Sequence, residues 1–186
     1  MTSVSSQRLF FALWPDAPAR AALRTLANDV AARREGRAPR EDNLHVTLAF
    51  LGDVNAGCIA RLEPIGATCA SACAPFLLTL DALGGASRGI AWLAPRSVPP
   101  SLAALHAALT GALEREDFPV ERRRYRPHVT LARQCTLPVR RHAVAPVAWR
   151  VERLSLVASR PSPQGSGYSD IATWPLREAG STTMPR

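Results

Sequence analysis

Asn43-Leu44-His45-Val46-Thr47-Leu48-Ala49-Phe50-Leu51-Gly52 has a counterpart 83 residues further on, Arg126-Pro127-His128-Val129-Thr130-Leu131-Ala132-Arg133. Both stretches contain His-Val-Thr-Leu. In an extended strand, residues two apart share a face, so each copy sends Val and Leu toward a core and presents an imidazole beside a hydroxyl on the other side. One such copy describes any half-buried strand. Two copies at comparable points in two halves predict a duplicated architecture in which both His-Thr pairs face one cleft.

The surroundings of the motifs support that layout. Leu9 to Trp14 is apolar throughout and reads as a central strand buried on both faces. Pro15-Asp16 opens a helix to about Arg34, with Leu23, Leu26, Ala27 and Val30 as its apolar stripe. An Arg- and Pro-rich loop leads to a strand from Leu44 to Leu51, closed by Gly52-Asp53. A helix from about Asn55 to Ala72 and a strand from Phe76 to Leu80, ended by Gly84-Gly85, complete a first lobe of about residues 8–85. The second lobe, about 88–177, starts with the strand Ile90 to Ala94. A helix from Pro99-Pro100-Ser101 to about Glu116 follows, striped with Leu102, Leu105, Leu109 and Leu113. Next come the motif strand His128 to Arg133 and the strands Arg150 to Ser159 and Tyr168 to Trp174, separated by the turn-rich Pro161 to Gly167. Residues 1–177 are expected to form a single domain, and 178–186, small and polar, a disordered tail.

Composition narrows the function classes. With 47% hydrophobic residues the chain can bury a core. Its 23 basic residues are all Arg, against 15 acidic ones, for a net charge of +8. Placement is more informative than the total. Arg33, Arg34, Arg37 and Arg40 precede the first motif and Arg122, Arg123, Arg124 and Arg126 the second, so two basic loops are expected to draw an anionic substrate into the cleft. The four cysteines contain no Cys-x-x-Cys pair, so neither a disulfide framework nor a metal site is expected. Cys69 and Cys73 share a helix face and should point to the core. The run before Pro15 is too short for a signal or a membrane span, which points to the cytoplasm.

Two imidazoles and two hydroxyls in one cleft suit phosphoryl transfer without metal or other cofactor. One His takes a proton from the attacking oxygen, the other gives one to the leaving oxygen, and the hydroxyls bond the non-bridging oxygens. Phe50 and Arg133 each stand five residues after their His. Strict alternation would send them to the opposite face, whereas a bulge would return them to the cleft, where the aromatic ring can stack on a base and the guanidinium can hold phosphate. Arg126 is a further candidate for substrate contact. His106, on the apolar stripe of its helix, is expected to be a partly buried core residue, and His142 a solvated loop residue. Trp14, Trp92, Trp149 and Trp174 lie in apolar strands and are expected in the core.

These residues resemble the 2H phosphoesterases, and within them the bacterial and archaeal RNA 2′,3′-cyclic phosphodiesterases, historically called 2′-5′ RNA ligases. The resemblance runs from Arg8-Leu9-Phe10-Phe11-Ala12 through both extended motifs to the strand from Tyr168 to Leu176. It implies an α+β fold, a bilobal pseudo-two-fold duplication with two antiparallel sheets lining a central cleft and helices outside. It implies hydrolysis of RNA 2′,3′-cyclic phosphate ends to 2′-phosphates without metal, with His45, Thr47, His128 and Thr130 as the catalytic set, Arg133 on the phosphate and Phe50 near the terminal base. By the same resemblance His45 is the acid at O3′ and His128 the base that orients water. A neighbouring Arg133 would keep His128 neutral, so that His128 governs the acidic limb of the pH profile and His45 the basic one. The expected partner is RNA with a cyclic phosphate end or a small cyclic-phosphate nucleotide, and the expected state is a monomer with no membrane contact. ATP-independent 2′-5′ joining of RNA ends and a non-catalytic RNA-binding module are the alternatives.

Overall fold

A computed structural model describes residues 6–86, 89–162 and 165–177; the expected tail at 178–186 lies outside them. The strands are β1 (Ser6–Leu13), β2 (Val46–Asn55), β3 (Phe76–Ala86), β4 (Ile90–Ala94), β5 (Val129–Ala132), β6 (His142–Val151), β7 (Arg153–Ser162) and β8 (Gly165–Pro175), and the helices α1 (Ala17–Arg33), α2 (Ile59–Ser71) and α3 (Pro100–Arg115). They form two four-stranded sheets, ordered β2-β1-β7-β8 and β5-β4-β3-β6, with antiparallel neighbours throughout.

The α+β class and the two antiparallel sheets agree with the sequence reading, but the sheets do not coincide with the lobes expected at about 8–85 and 88–177. β3 belongs with β4 in the second sheet, while β7 and β8 complete the first. Each sheet nevertheless carries one motif at an edge strand, β2 in one and β5 in the other. Helix α1 starts where Asp16 accepts a hydrogen bond from the Ala19 amide at 2.9 Å, a side-chain cap for one of the helix's orphan N–H groups. It buries Leu23, Ala27 and Val30, and α3 buries Leu102, Leu105, Leu109 and Leu113. Both stripes join a common core with Leu9, Phe11 and Leu13 of β1. The alternate residues of β1, Phe10 and Ala12, join Val157 in a second apolar layer flanked by Trp14 and Tyr168. β1 is thus buried on both faces, as its unbroken apolar run predicts.

Several strands differ from expectation. Gly52 does not close β2: with φ of +71° it continues the strand through an irregular pairing, in a backbone region that only glycine enters freely. Gly84 does not end β3 either. The Trp92 ring lies across it so closely that a Cβ there would come within 2.3 Å of the ring, so glycine serves close packing. β6 has no counterpart in the sequence reading because Pro146 interrupts its pattern. β6 is an edge strand, and Pro146 falls where its register on β3 shifts between Val147 and Ala143, the kind of position that tolerates a missing N–H. The strand expected over Arg150 to Ser159 divides at Glu152, where the chain passes from one sheet to the other.

Candidate active site

The two motifs converge on one cleft of 780 Å³, whose walls include His45, Thr47 and Phe50 from the first sheet and His128, Thr130 and Arg133 from the second. Each motif reaches it by the same local device. In the first, Phe11 opposes Ala49 and Ala12 opposes Thr47, leaving Leu48 as an extra residue. In the second, Ala91 opposes Ala132 and Trp92 opposes Thr130, leaving Leu131 extra. A bulge inverts side-chain parity, so Phe50 and Arg133 return to the face of His and Thr. Phe50 is 45% exposed, with the Arg8 guanidinium 5.1 Å from its ring centre.

The backbone joins the two halves at the cleft. Arg37 and Arg133 exchange backbone hydrogen bonds of 2.8 and 2.9 Å, which brings the loop after α1 beside the end of β5. Tyr125 donates its hydroxyl to the Thr47 carbonyl at 3.3 Å and stacks on His106 at 3.8 Å between ring centres. Burial raises the Tyr125 phenol above its ordinary pKa and lowers that of the partly buried His106, which favours the neutral form of both rings.

The two histidines share an anchor and differ in their surroundings. In both, Nδ1 donates to the carbonyl two residues earlier, Asn43 for His45 and Arg126 for His128, each at 2.8 Å. A carbonyl can only accept, so Nδ1 carries the proton and Nε2 faces the chemistry. At His45, Nε2 lies 3.1 Å from Thr47 Oγ1 and accepts from it when the ring is neutral. Phe10, Trp14 and Tyr168 surround this imidazole at 5.0, 5.3 and 5.3 Å between ring centres, Tyr168 edge-on. Burial among them lowers the His45 pKa to about 4; the Asn43 carbonyl opposes that shift, and the charges of His128 and Arg133 add to it. His128 is exposed, and the ring nearest to it is Trp92 at 6.4 Å. The charge of Arg133 bears on His45 as well.

The cationic lining also differs from expectation. Arg37 and Arg40 of the first basic loop line the cleft together with Arg8 and Arg133. Arg33 turns back to Asp29 at 2.7 Å. The second basic loop contributes no side chain to the cleft wall: Arg123 binds Glu121 at 2.5 Å, and Arg126, expected to touch substrate, offers its backbone carbonyl to His128 while its side chain is absent from the lining. Arg8, Phe10 and Tyr168 have no individual assignment in the sequence reading, and Trp14 is expected there only in the core. Period-two spacing from Arg8 through Phe10 and Ala12 to Trp14 is the signal available for three of them. The apolar run masks it, and Tyr168 joins them through a strand pairing that no local pattern reveals. Cys69 and Cys73 are buried as expected. Among the described residues no group of three or more His, Cys, Asp or Glu is placed to hold a metal ion, and no helix is long and apolar enough to cross a membrane.

Residues 14–162 match the 2′-5′ RNA ligase superfamily. The chain belongs to that family. It is 30% identical to the RNA 2′,3′-cyclic phosphodiesterase of Escherichia coli K12 over 177 residues, covering 92% of this chain and 98% of that one. A 98-residue portion is 36% identical to an RNA 2′,3′-cyclic phosphodiesterase of Geobacillus stearothermophilus, covering 31% of that protein. Among solved structures, E. coli LigT complexed with 3′-AMP superposes with a TM-score of 0.83 at 29% identity, over 92% of this chain and 99% of that one. A Thermus thermophilus protein superposes with a TM-score of 0.81 at 26% identity, over 92% and 99% of the two chains.

Proposed function

We propose that this chain hydrolyses the 2′,3′-cyclic phosphate at RNA ends, or on small nucleotides, to a 2′-phosphate, with two histidines and no metal. The observation that carries this reading is the convergence of both His-Thr pairs, with Arg8, Arg37 and Arg133, on one cleft, in a chain similar over almost its whole length to an RNA 2′,3′-cyclic phosphodiesterase. Water attacks phosphorus in line with O3′ and the P–O3′ bond breaks. His128 takes the proton of the water, His45 gives one to O3′, and Thr47, Thr130 and Arg133 bond the non-bridging oxygens.

The neutral state of His45 in the free protein sets the order of events. An anionic phosphate beside the ring favours the imidazolium, opposing the burial that holds its pKa near 4. Once Nε2 is protonated it can no longer accept from Thr47, whose hydroxyl becomes free to turn to the phosphate. Substrate entry thus charges the acid and frees an oxyanion donor together.

Incubation with 2′,3′-cyclic nucleotides and short RNAs in EDTA, with products resolved by phosphorus NMR, tests the proposal. The expected product is a 2′-phosphate at an undiminished rate. A 3′-phosphate would reverse the roles of the two histidines; loss of activity on chelation with recovery on adding a divalent ion would overturn the metal-free mechanism.

A further inference from the structure

A second cavity of 530 Å³ adjoins the catalytic cleft, within the ~300–1,000 Å³ typical of small-molecule sites. Tyr168 belongs to the walls of both spaces, and Trp14, which packs against His45, lines the second. Both spaces use one face of the first sheet, since Ala12 of the apolar layer flanked by these two rings is paired with Ser155, and Ser155 with Thr173. The aromatic surroundings of His45 therefore form the partition between two compartments of one groove. The walls of the second cavity carry four carboxylates and the three guanidinium groups of Arg20, Arg150 and Arg153, and each carboxylate already has a partner. Asp16 caps α1 through the Ala19 amide, Asp170 accepts from the Trp14 indole at 2.9 Å, Glu152 stands 3.6 Å from Arg150, and Asp42 stands 3.7 Å from Arg40. Two lining cations have no ion pair among the described residues: Arg153, and Arg20, whose guanidinium donates to the Pro15 carbonyl at 3.3 Å.

We infer that this cavity binds the penultimate nucleotide of an RNA substrate, taking the phosphodiester that leads into the terminal residue on Arg153 and Arg20. The inference rests on the reading above, and ribose connectivity gives its direction. With O3′ departing toward His45, C3′ lies on that side; C4′ is bonded to C3′ and carries C5′ and the chain onward. The next phosphate accordingly leaves past His45, across Trp14 and Tyr168, into the second cavity. An anion there meets two guanidinium groups without an ion pair, and the hydroxyl pair of buried Ser155 and exposed Thr173, 2.9 Å apart, lies in the same wall. Two such guanidinium groups suit one phosphodiester, so the gain in recognition should come at the second nucleotide and level off beyond it.

The test compares kcat/KM for a 2′,3′-cyclic mononucleotide with that for di- and pentanucleotides ending in the cyclic phosphate. The proteins are wild type, Arg153→Ala and the Arg20→Ala/Arg153→Ala pair. Wild type should favour the dinucleotide over the mononucleotide by about 10-fold or more and gain less than about threefold from the pentanucleotide, as one or two charge-assisted contacts allow. The paired variant should bring the dinucleotide to within about twofold of the mononucleotide, whose own rate should stay within about twofold of wild type. Equal wild-type rates on mono- and dinucleotide, an unchanged preference in the paired variant, or an equal loss on every substrate would overturn the inference. If no cyclic phosphate is opened at all, the functional reading fails separately. Calorimetry with a dinucleotide and a mononucleotide carrying 2′-phosphates then decides the cavity, and equal affinities for the two would rule it out.

Discussion

His45 and His128 head the same four-residue motif and use the same carbonyl anchor, yet one lies among three aromatic rings while the other stands exposed. The difference comes from the rest of each sheet. β2 runs beside β1, which supplies Phe10, with Trp14 just beyond its end, and β8 adds Tyr168. β5 runs beside β4, which supplies Trp92 alone. A duplicated motif fixes which groups reach the cleft, and the unlike scaffolds around it decide how readily each group takes a proton.

Removing either imidazole is the severest way to probe this pairing. His45→Ala and His128→Ala should each lower kcat by roughly two to four orders of magnitude, the usual range for a general acid or base, with the fold checked by circular dichroism. Near wild-type turnover in either variant would end the two-histidine mechanism. Thr47→Ala and Thr130→Ala should cost about 10- to 1000-fold in kcat. Of the two, Thr47→Ala should also move the titration of His45, because Thr47 is its Nε2 partner. Phe50→Ala should raise KM by about 5- to 100-fold with kcat nearly constant, the worth of one base stacked on an aromatic ring; a fall in kcat alone would remove Phe50 from substrate binding.

The smallest effects read the asymmetry most directly. In free protein, NMR titration of His45 should give a midpoint near pH 4, and Tyr168→Ala should move it toward the ordinary value of 6.5 by readmitting water. Because kcat/KM reports the free enzyme, its acidic limb should lie near pH 4 and belong to His45, the reverse of the ownership that the sequence suggests through Arg133. Stability follows the same sign. The unfolded chain binds a proton at His45 below about 6.5 and the folded one only below about 4, so stability should fall as pH drops through that window, by at most about 3 kcal/mol. Thermal unfolding of wild type and His45→Ala across that range measures the difference, and parallel curves would refute the link to burial.

Much of this site is legible in the sequence because it is local. His and Thr two apart share a strand face, and the equal +5 spacing of Phe50 and Arg133 suggests the bulge that both copies contain. What escapes is lateral. Trp14 reads as core until β1 is seen beside β2, and Tyr168 becomes a neighbour of His45 only through the order β2-β1-β7-β8. The Arg122 to Arg126 cluster reads as a cleft wall because it adjoins the motif in sequence, whereas the carbonyl of Arg126 and the ring of Tyr125 are what reach inward. β6 escapes because Pro146 breaks a pattern that an edge strand can spare.

The interleaving of the two sheets has a consequence during biosynthesis. The first sheet begins with β1, near the start of the chain, and is completed by β7 and β8, near its end, so the pairing of β1 with β7 closes a loop of well over a hundred residues. A nascent chain therefore has both motifs outside the ribosome while β1 and β2 still lack half of their sheet and His45 still lacks its Tyr168 wall. The order of synthesis delays the completed site until the last strand has emerged, and it leaves the apolar Leu9 to Leu13 segment as the stretch most in need of protection while it waits.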